Sequence, residues 1–147
     1  MSKVALVTGA SQGIGKAIAL QLAQSGALTI INYSKSHSKA EQAVEEIRKS
    51  GGKAEAICAD ISDEQQVAEM FDRIGKLSTQ LDYLVNNAGI DLPQKLETYD
   101  VAAWRRILEV NVTGKFLVLK HALPYLKKAG SARVVNVSSP LAWKPLE

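Results

Sequence analysis

The sequence carries a single cysteine, Cys58, so no internal disulfide can form, and a reducing cytoplasm is the simplest expectation for its location. Aromatic residues make up only 5% of the chain. No apolar run approaches the ~18 residues that a membrane-spanning helix needs, and the N-terminus passes from Met1, Ser2 and Lys3 into a short apolar stretch without the layout of a signal peptide. Charge of one sign is also scarce. There are 18 Lys and Arg against 15 Asp and Glu, a formal net charge of +3. The densest basic pairs, Arg105 with Arg106 and Lys127 with Lys128, fall inside helical patterns, as on a solvated helix face, so nucleic-acid binding is not expected. What is present is an ordinary globular balance, 46% hydrophobic and 22% charged residues in 147, sufficient to bury one core and read as one domain over 1–147.

Short apolar runs alternate with helical periodicities along the whole chain. Val4 to Val7, Leu28 to Ile31, Ala54 to Cys58, Tyr83 to Val85 and Val134 to Val137 read as five strands, the continuous apolar runs suiting strands covered on both faces. Between them, Ile14, Ala17, Ile18 and Leu22 recur at helical spacing and stop at Gly26, and Ala40, Val44 and Ile47 do so before Gly51. Ser62 and Gln65 have capping-box spacing ahead of Val67, Met70, Phe71, Ile74 and Leu77. A long helix is predicted from about Asp100 to Leu126, carrying Trp104, Ile107, Leu108, Phe116, Leu119 and Leu123, with Pro124 kinking its last turns. Parallel strands need helical crossovers, so the pattern predicts an α/β, doubly wound parallel sheet with helices on both faces. Such sheets have six strands in the order 3-2-1-4-5-6, and here the sequence ends just after the fifth, leaving 3-2-1-4-5.

Between the first strand and the first helix lies Thr8-Gly9-Ala10-Ser11-Gln12-Gly13-Ile14-Gly15. Glycine at 9 permits the sharp turn, Gly13 lets a pyrophosphate approach the backbone, and Gly15 allows close packing of helix on strand. The helix N-terminus adds free N–H groups and a partial positive charge. A strand before and a helix after make a plain tight turn the weaker alternative.

This spacing, Thr-Gly-x-x-x-Gly-x-Gly, resembles that of the short-chain dehydrogenase/reductase family. Asn86-Asn87-Ala88-Gly89 resembles the family's motif after strand four, Asp60 with the adjoining Ile61 its adenine-contacting position, Asn111 its helix asparagine, and Val135 to Ser139 the segment bearing its catalytic serine. Taken singly, Asp60 reads equally as a helix cap, Asn86 and Asn87 as turn residues, Asn111 as bonding a nearby carbonyl and Ser138 and Ser139 as a strand end. Taken in order, they imply a dinucleotide held by Gly9, Ser11, Gln12, Gly13, Ile14, Gly15, Asp60, Ile61, Asn87, Ala88 and Gly89. They also imply a carbonyl or alcohol substrate, with Ser139 and Asn111 assisting catalysis, in a 3-oxoacyl-thioester reductase or a sugar dehydrogenase. At the end of strand two stands Asn32-Tyr33-Ser34-Lys35, with no carboxylate to hold a ribose 2′-hydroxyl and with Ser34 and Lys35 able to donate to a 2′-phosphate, so NADP is expected in preference to NAD.

One departure bears on activity. The family's reaction centre, a tyrosine with a lysine four residues later, is not matched: the four tyrosines, Tyr33, Tyr83, Tyr99 and Tyr125, are followed at that distance by His37, Asn87, Ala103 and Ala129. Family spacing would put that tyrosine shortly after Glu147, and Pro140 to Glu147 lack the small-residue run usual after the serines. The expectation is an incomplete dinucleotide-binding domain that binds cofactor without turnover. Its fifth strand or long helix is expected to be uncovered and so prone to self-association, or to recruit a full-length homologue as a non-catalytic interaction module.

Overall fold

The computed structural model describes residues 2–139; the segment 140–147, including the run after the serines, lies outside the described residues. Five parallel strands form one sheet in the order β3-β2-β1-β4-β5. They are β1 (Val4–Val7), β2 (Leu28–Tyr33), β3 (Lys53–Cys58), β4 (Tyr83–Asn86) and β5 (Arg133–Asn136). The helices are α1 (Gly13–Gln24), α2 (His37–Lys49), α3 (Glu64–Leu77), α4 (Val101–Leu108) and α5 (Lys115–Lys128). The predicted order of strands and crossovers is observed, with ends displaced by one or two residues.

Successive strand residues point to opposite faces, so β1 to β4 supply two cores, whereas all four residues of β5 are exposed. Leu6, Ile30, Ile57 and Leu84 face Met70, Phe71 and Ile74 of α3 and Leu117, Val118 and Ala122 of α5. Val7, Ile31 and Val85 face Ala19 and Ala23 of α1 and Ala40, Val44 and Ile47 of α2. Burying each of the larger side chains is worth about 1.5–3 kcal/mol relative to exposure. The small residues of α1 let that helix sit close to the sheet, which sets the start of α1 directly over the end of β1.

One local expectation is corrected and another refined. The cap of α3 is not the pair Ser62 and Gln65 but Asp63 and Gln66: an Asp63 carboxylate oxygen accepts from the Gln66 N–H at 3.1 Å, and the Gln66 amide donates back to the other at 3.0 Å. Ser62 precedes the cap position and its hydroxyl is engaged elsewhere, donating to Asp60 at 2.7 Å and accepting from Arg106 at 2.6 Å. The long helical region is helical from Val101 to Lys128 as expected, but not α-helical throughout. A π-helical turn, Glu109–Gly114, separates α4 from α5, whereas α5 runs through Pro124 to Lys128. Such wide turns often accompany functional sites, and this one contains Asn111, whose side chain accepts from the Ile90 N–H at 2.8 Å and donates to the Ile90 carbonyl at 2.9 Å.

Candidate dinucleotide cleft

The carboxyl ends of β1 to β4 open on a cleft of about 520 Å³. Its floor is the glycine turn, and side chains from both neighbouring strands pin that turn. Asn32, buried at the end of β2, accepts from the Gly9 N–H at 3.4 Å and donates to the Ala59 carbonyl at 3.0 Å. From the β4 side, the Asn87 amide donates to the carbonyls of Thr8 at 2.9 Å and Gly9 at 3.2 Å, while the Thr8 hydroxyl accepts the N–H groups of Asn87 and Ala88, both at 3.0 Å. Asn32 and Asn87 therefore line the cleft with their amides already committed to the backbone. Gly15 sits where a Cβ would fall 2.5 Å from Asn87 Nδ2 and 2.6 Å from the Gly9 oxygen. Gly13, at φ +58°, would point a Cβ into open space.

The rim shows a polarity suited to an anion. No side chain caps α1, and its first turn holds no acidic residue, so its leading N–H groups and dipole face the cleft. Ile14, expected on the buried face of that helix, is instead 66% exposed and lines the opening. Ser11 and Gln12 line it beside Ile14, and Lys39 donates to Gln12 Oε1 at 2.6 Å. At the end of β2, Ser34 and Lys35 line the cleft and are exposed, whereas Tyr33 is buried with its hydroxyl 2.6 Å from His37 Nδ1. At the end of β3, Asp60 and Ile61 form one wall, and Ala88 and Gly89 continue the lining after β4. Among the described lining residues Asp60 is the only carboxylate, and Arg106, a residue that sequence reasoning left on a solvated helix face, pairs with it at 2.6 Å.

The two expected catalytic residues stand outside this lining. Asn111 backs it through its bonds to Ile90 and its closeness to Gly89, and Ser139 lies exposed just past the end of β5. Beside that end, Lys115 donates to the Val137 carbonyl at 2.7 Å, and burial lowers the Lys115 ammonium below its ordinary pKa.

The family model for short chain dehydrogenases matches residues 3–147. The chain belongs to this family. Among curated short-chain dehydrogenase relatives, a 3-oxoacyl-[acyl-carrier-protein] reductase of Staphylococcus aureus is 40% identical over 139 residues, covering 95% of this chain and 56% of that protein. A cis-4-hydroxycyclohexanecarboxylate dehydrogenase of Sinomonas cyclohexanicum is 44% identical over 140 residues, covering 95% of this chain and 55% of that protein. The chain thus spans about half the length of the curated relatives it matches. A crystal structure of a short chain dehydrogenase from Burkholderia cenocepacia in complex with NADP superposes with a TM-score of 0.91 at 38% identity, covering 99% of this chain and 58% of that one.

Within this short-chain dehydrogenase cleft, Asp60 is a carboxylate whose pKa two neighbours depress. Burial alone would raise its pKa, but hydrogen bonds from the Ser62 hydroxyl and N–H and from Arg106 outweigh burial and leave it below its ordinary value. A carboxylate depressed in the folded state contributes stability that is complete above its unfolded pKa, roughly 4, and is lost as pH falls through the lower folded value. Asp60→Asn is therefore expected to cost about 1 kcal/mol at pH 7, discounted for partial exposure. Its melting curve should converge on that of the unaltered chain once the pH falls below the lowered folded-state value of Asp60. Thermal melts across pH would refute this if the gap persisted in acid.

Proposed function

We propose that these residues form the dinucleotide-binding part of an oxidoreductase that interconverts a carbonyl and an alcohol, and that the cleft takes NADP. The observation that carries the reading is the cradle itself: an uncapped helix start, a glycine at φ +58° facing open space, and a glycine turn locked from two strands. Gly13, Ile14 and Gly15 would hold the pyrophosphate by backbone N–H groups, and Ser34 and Lys35 the 2′-phosphate, with no carboxylate at the end of β2 to repel it. The solved relative in complex with NADP supports the same choice. When bound, the cofactor supplies or accepts a hydride.

The residues of this chain that would serve the reaction are Ser139, holding the substrate oxygen at the end of β5, and Asn111, fixing the loop after β4. No tyrosine in the sequence has a lysine four residues on, so no proton donor of the family type is paired with them, and the 147 residues alone are expected to bind cofactor without turnover. For the whole protein, 3-oxoacyl thioesters are the substrate class suggested by the reductase relatives.

Titration with NADPH and NADH tests the cofactor assignment. NADPH is expected to bind at least about tenfold more tightly, and Lys35→Ala to weaken NADPH about fivefold while leaving NADH unchanged, as loss of one exposed charge contact implies. A preference for NADH would overturn the assignment.

A second reading, as a self-associating module, has one observation behind it. Val101, Trp104, Leu108, Val112, Phe116, Leu119 and Leu123 recur at helical spacing along α4 and α5, and all are exposed. We read this stripe as the seat of a homo-oligomer, compatible with cofactor binding.

A further inference from the structure

Arg106 reaches across 46 residues of sequence to close a ring at the β3 end of the cleft. Its Nη2 donates to Asp60 Oδ2 at 2.6 Å and its Nη1 to the Ser62 hydroxyl at 2.6 Å. Ser62 completes the ring, donating its hydroxyl and N–H to Asp60 Oδ1 at 2.7 and 3.0 Å. A carboxylate oxygen offers two lone pairs, so Oδ1 is saturated and Oδ2 keeps one acceptor position. The guanidinium fork is what sets the orientation of that position, because it grips Asp60 and the residue that grips Asp60 from the other side. Around the ring, Ile61, Ile90 and Val110 give the slot apolar walls.

The strand order says what the slot would receive. The glycine turn after β1 takes the pyrophosphate, so the half of a dinucleotide lying toward β2 and β3 places its ribose at Ser34 and Lys35 and its base at Asp60 and Arg106. Only the adenosine half of NADP carries a 2′-phosphate, which makes that base adenine. Resting on the NADP reading above, we infer that Arg106 is a positioning residue for base selection. It holds Asp60 so that the remaining Oδ2 lone pair accepts from the exocyclic amine of a 6-aminopurine, while a 6-oxopurine would bring a carbonyl oxygen against a carboxylate.

The test compares binding of NADPH and its hypoxanthine analogue, reduced nicotinamide hypoxanthine dinucleotide phosphate, to the 147-residue chain. The unaltered chain is expected to prefer NADPH about tenfold, the scale of one charge-assisted hydrogen bond in a half-exposed site. Arg106→Lys keeps the charge but cannot grip both partners, and should shrink the preference to about twofold. Ser62→Ala removes the hydroxyl that bonds both Asp60 and Arg106 while keeping the backbone N–H bond and the ion pair; it should shrink the preference in the same direction and serves if the lysine variant folds poorly. Equal weakening of both dinucleotides with the preference intact would mean Arg106 is only structural and would overturn the inference, as would an unaltered chain without preference. Failure of the unaltered chain to bind either dinucleotide would overturn the NADP reading itself.

Discussion

Gly15→Ala is expected to cost the chain about 2 kcal/mol of stability and to raise the dissociation constant for NADPH on the order of a hundredfold. Helix propensity alone would favour alanine at this position by nearly 1 kcal/mol, so packing must decide the sign. An alanine Cβ would lie 2.5 Å from Asn87 Nδ2, 2.6 Å from the Gly9 oxygen and 3.0 Å from Ala10 Cα. Two of these are backbone atoms of the turn. The third belongs to the amide whose bonds at 2.9 and 3.2 Å hold that turn to β4. Relieving the clash therefore breaks those bonds or lifts α1 off β1, and either moves the N–H groups that would face the pyrophosphate. Gly13→Ala provides a contrast: its Cβ meets nothing within 4 Å, but φ +58° disfavours any side chain. It should lose about 1 kcal/mol through backbone strain and lose affinity by intruding on the cleft. Thermal melts and NADPH titration check both. A stable Gly15→Ala chain with unchanged affinity would refute the packing argument and weaken the cleft assignment with it.

Phe116→Glu is expected to convert an associated chain to monomers while leaving its melting temperature as a monomer almost unchanged. Phe116 is 61% exposed and sits midway along a stripe that includes Trp104 at 53% and Leu123 at 46%. Because these side chains are exposed in the isolated chain, a charge there removes little internal packing. Contiguous apolar surface of this kind marks an interaction face. In a two-fold pairing each substitution enters the interface twice, and losing a central aromatic costs about 2 kcal/mol or more each time, so the dissociation constant should rise on the order of a thousandfold. Light scattering at micromolar concentrations distinguishes the outcomes. A monomeric mass for the unaltered chain would remove the oligomer from consideration, and a dimer insensitive to Phe116→Glu would move the interface to the exposed edge strand β5.

The legible parts of this fold were those governed by neighbours in sequence. Val4 to Val7 announced a strand buried on both faces because a continuous apolar run leaves no solvent face, and the crossover helices then dictated parallel pairing. The cap of α3 was misplaced by one residue because Ser62 and Asp63 are both good caps, and in the fold the Ser62 hydroxyl is held between Asp60 and Arg106, partners 2 and 44 residues away. The long helix was readable as helical but not as interrupted: the π-helical turn accompanies the two bonds from Asn111 to Ile90, a partner 21 residues away.

The sequence by itself determined the doubly wound sheet, the glycine turn and its family spacing, and the absence of a carboxylate at the end of β2, since each depends on periodicity or on residues a few places apart. Only the tertiary structure decided which apolar residues of α4 and α5 face the sheet and which face solvent, that Asn32 and Asn87 spend their amides on the turn, and that Arg106 completes the wall at Asp60. Those outcomes depend on pairing groups tens of residues apart, where a hydrogen bond or a packed contact exists only once the sheet has brought its strand ends together.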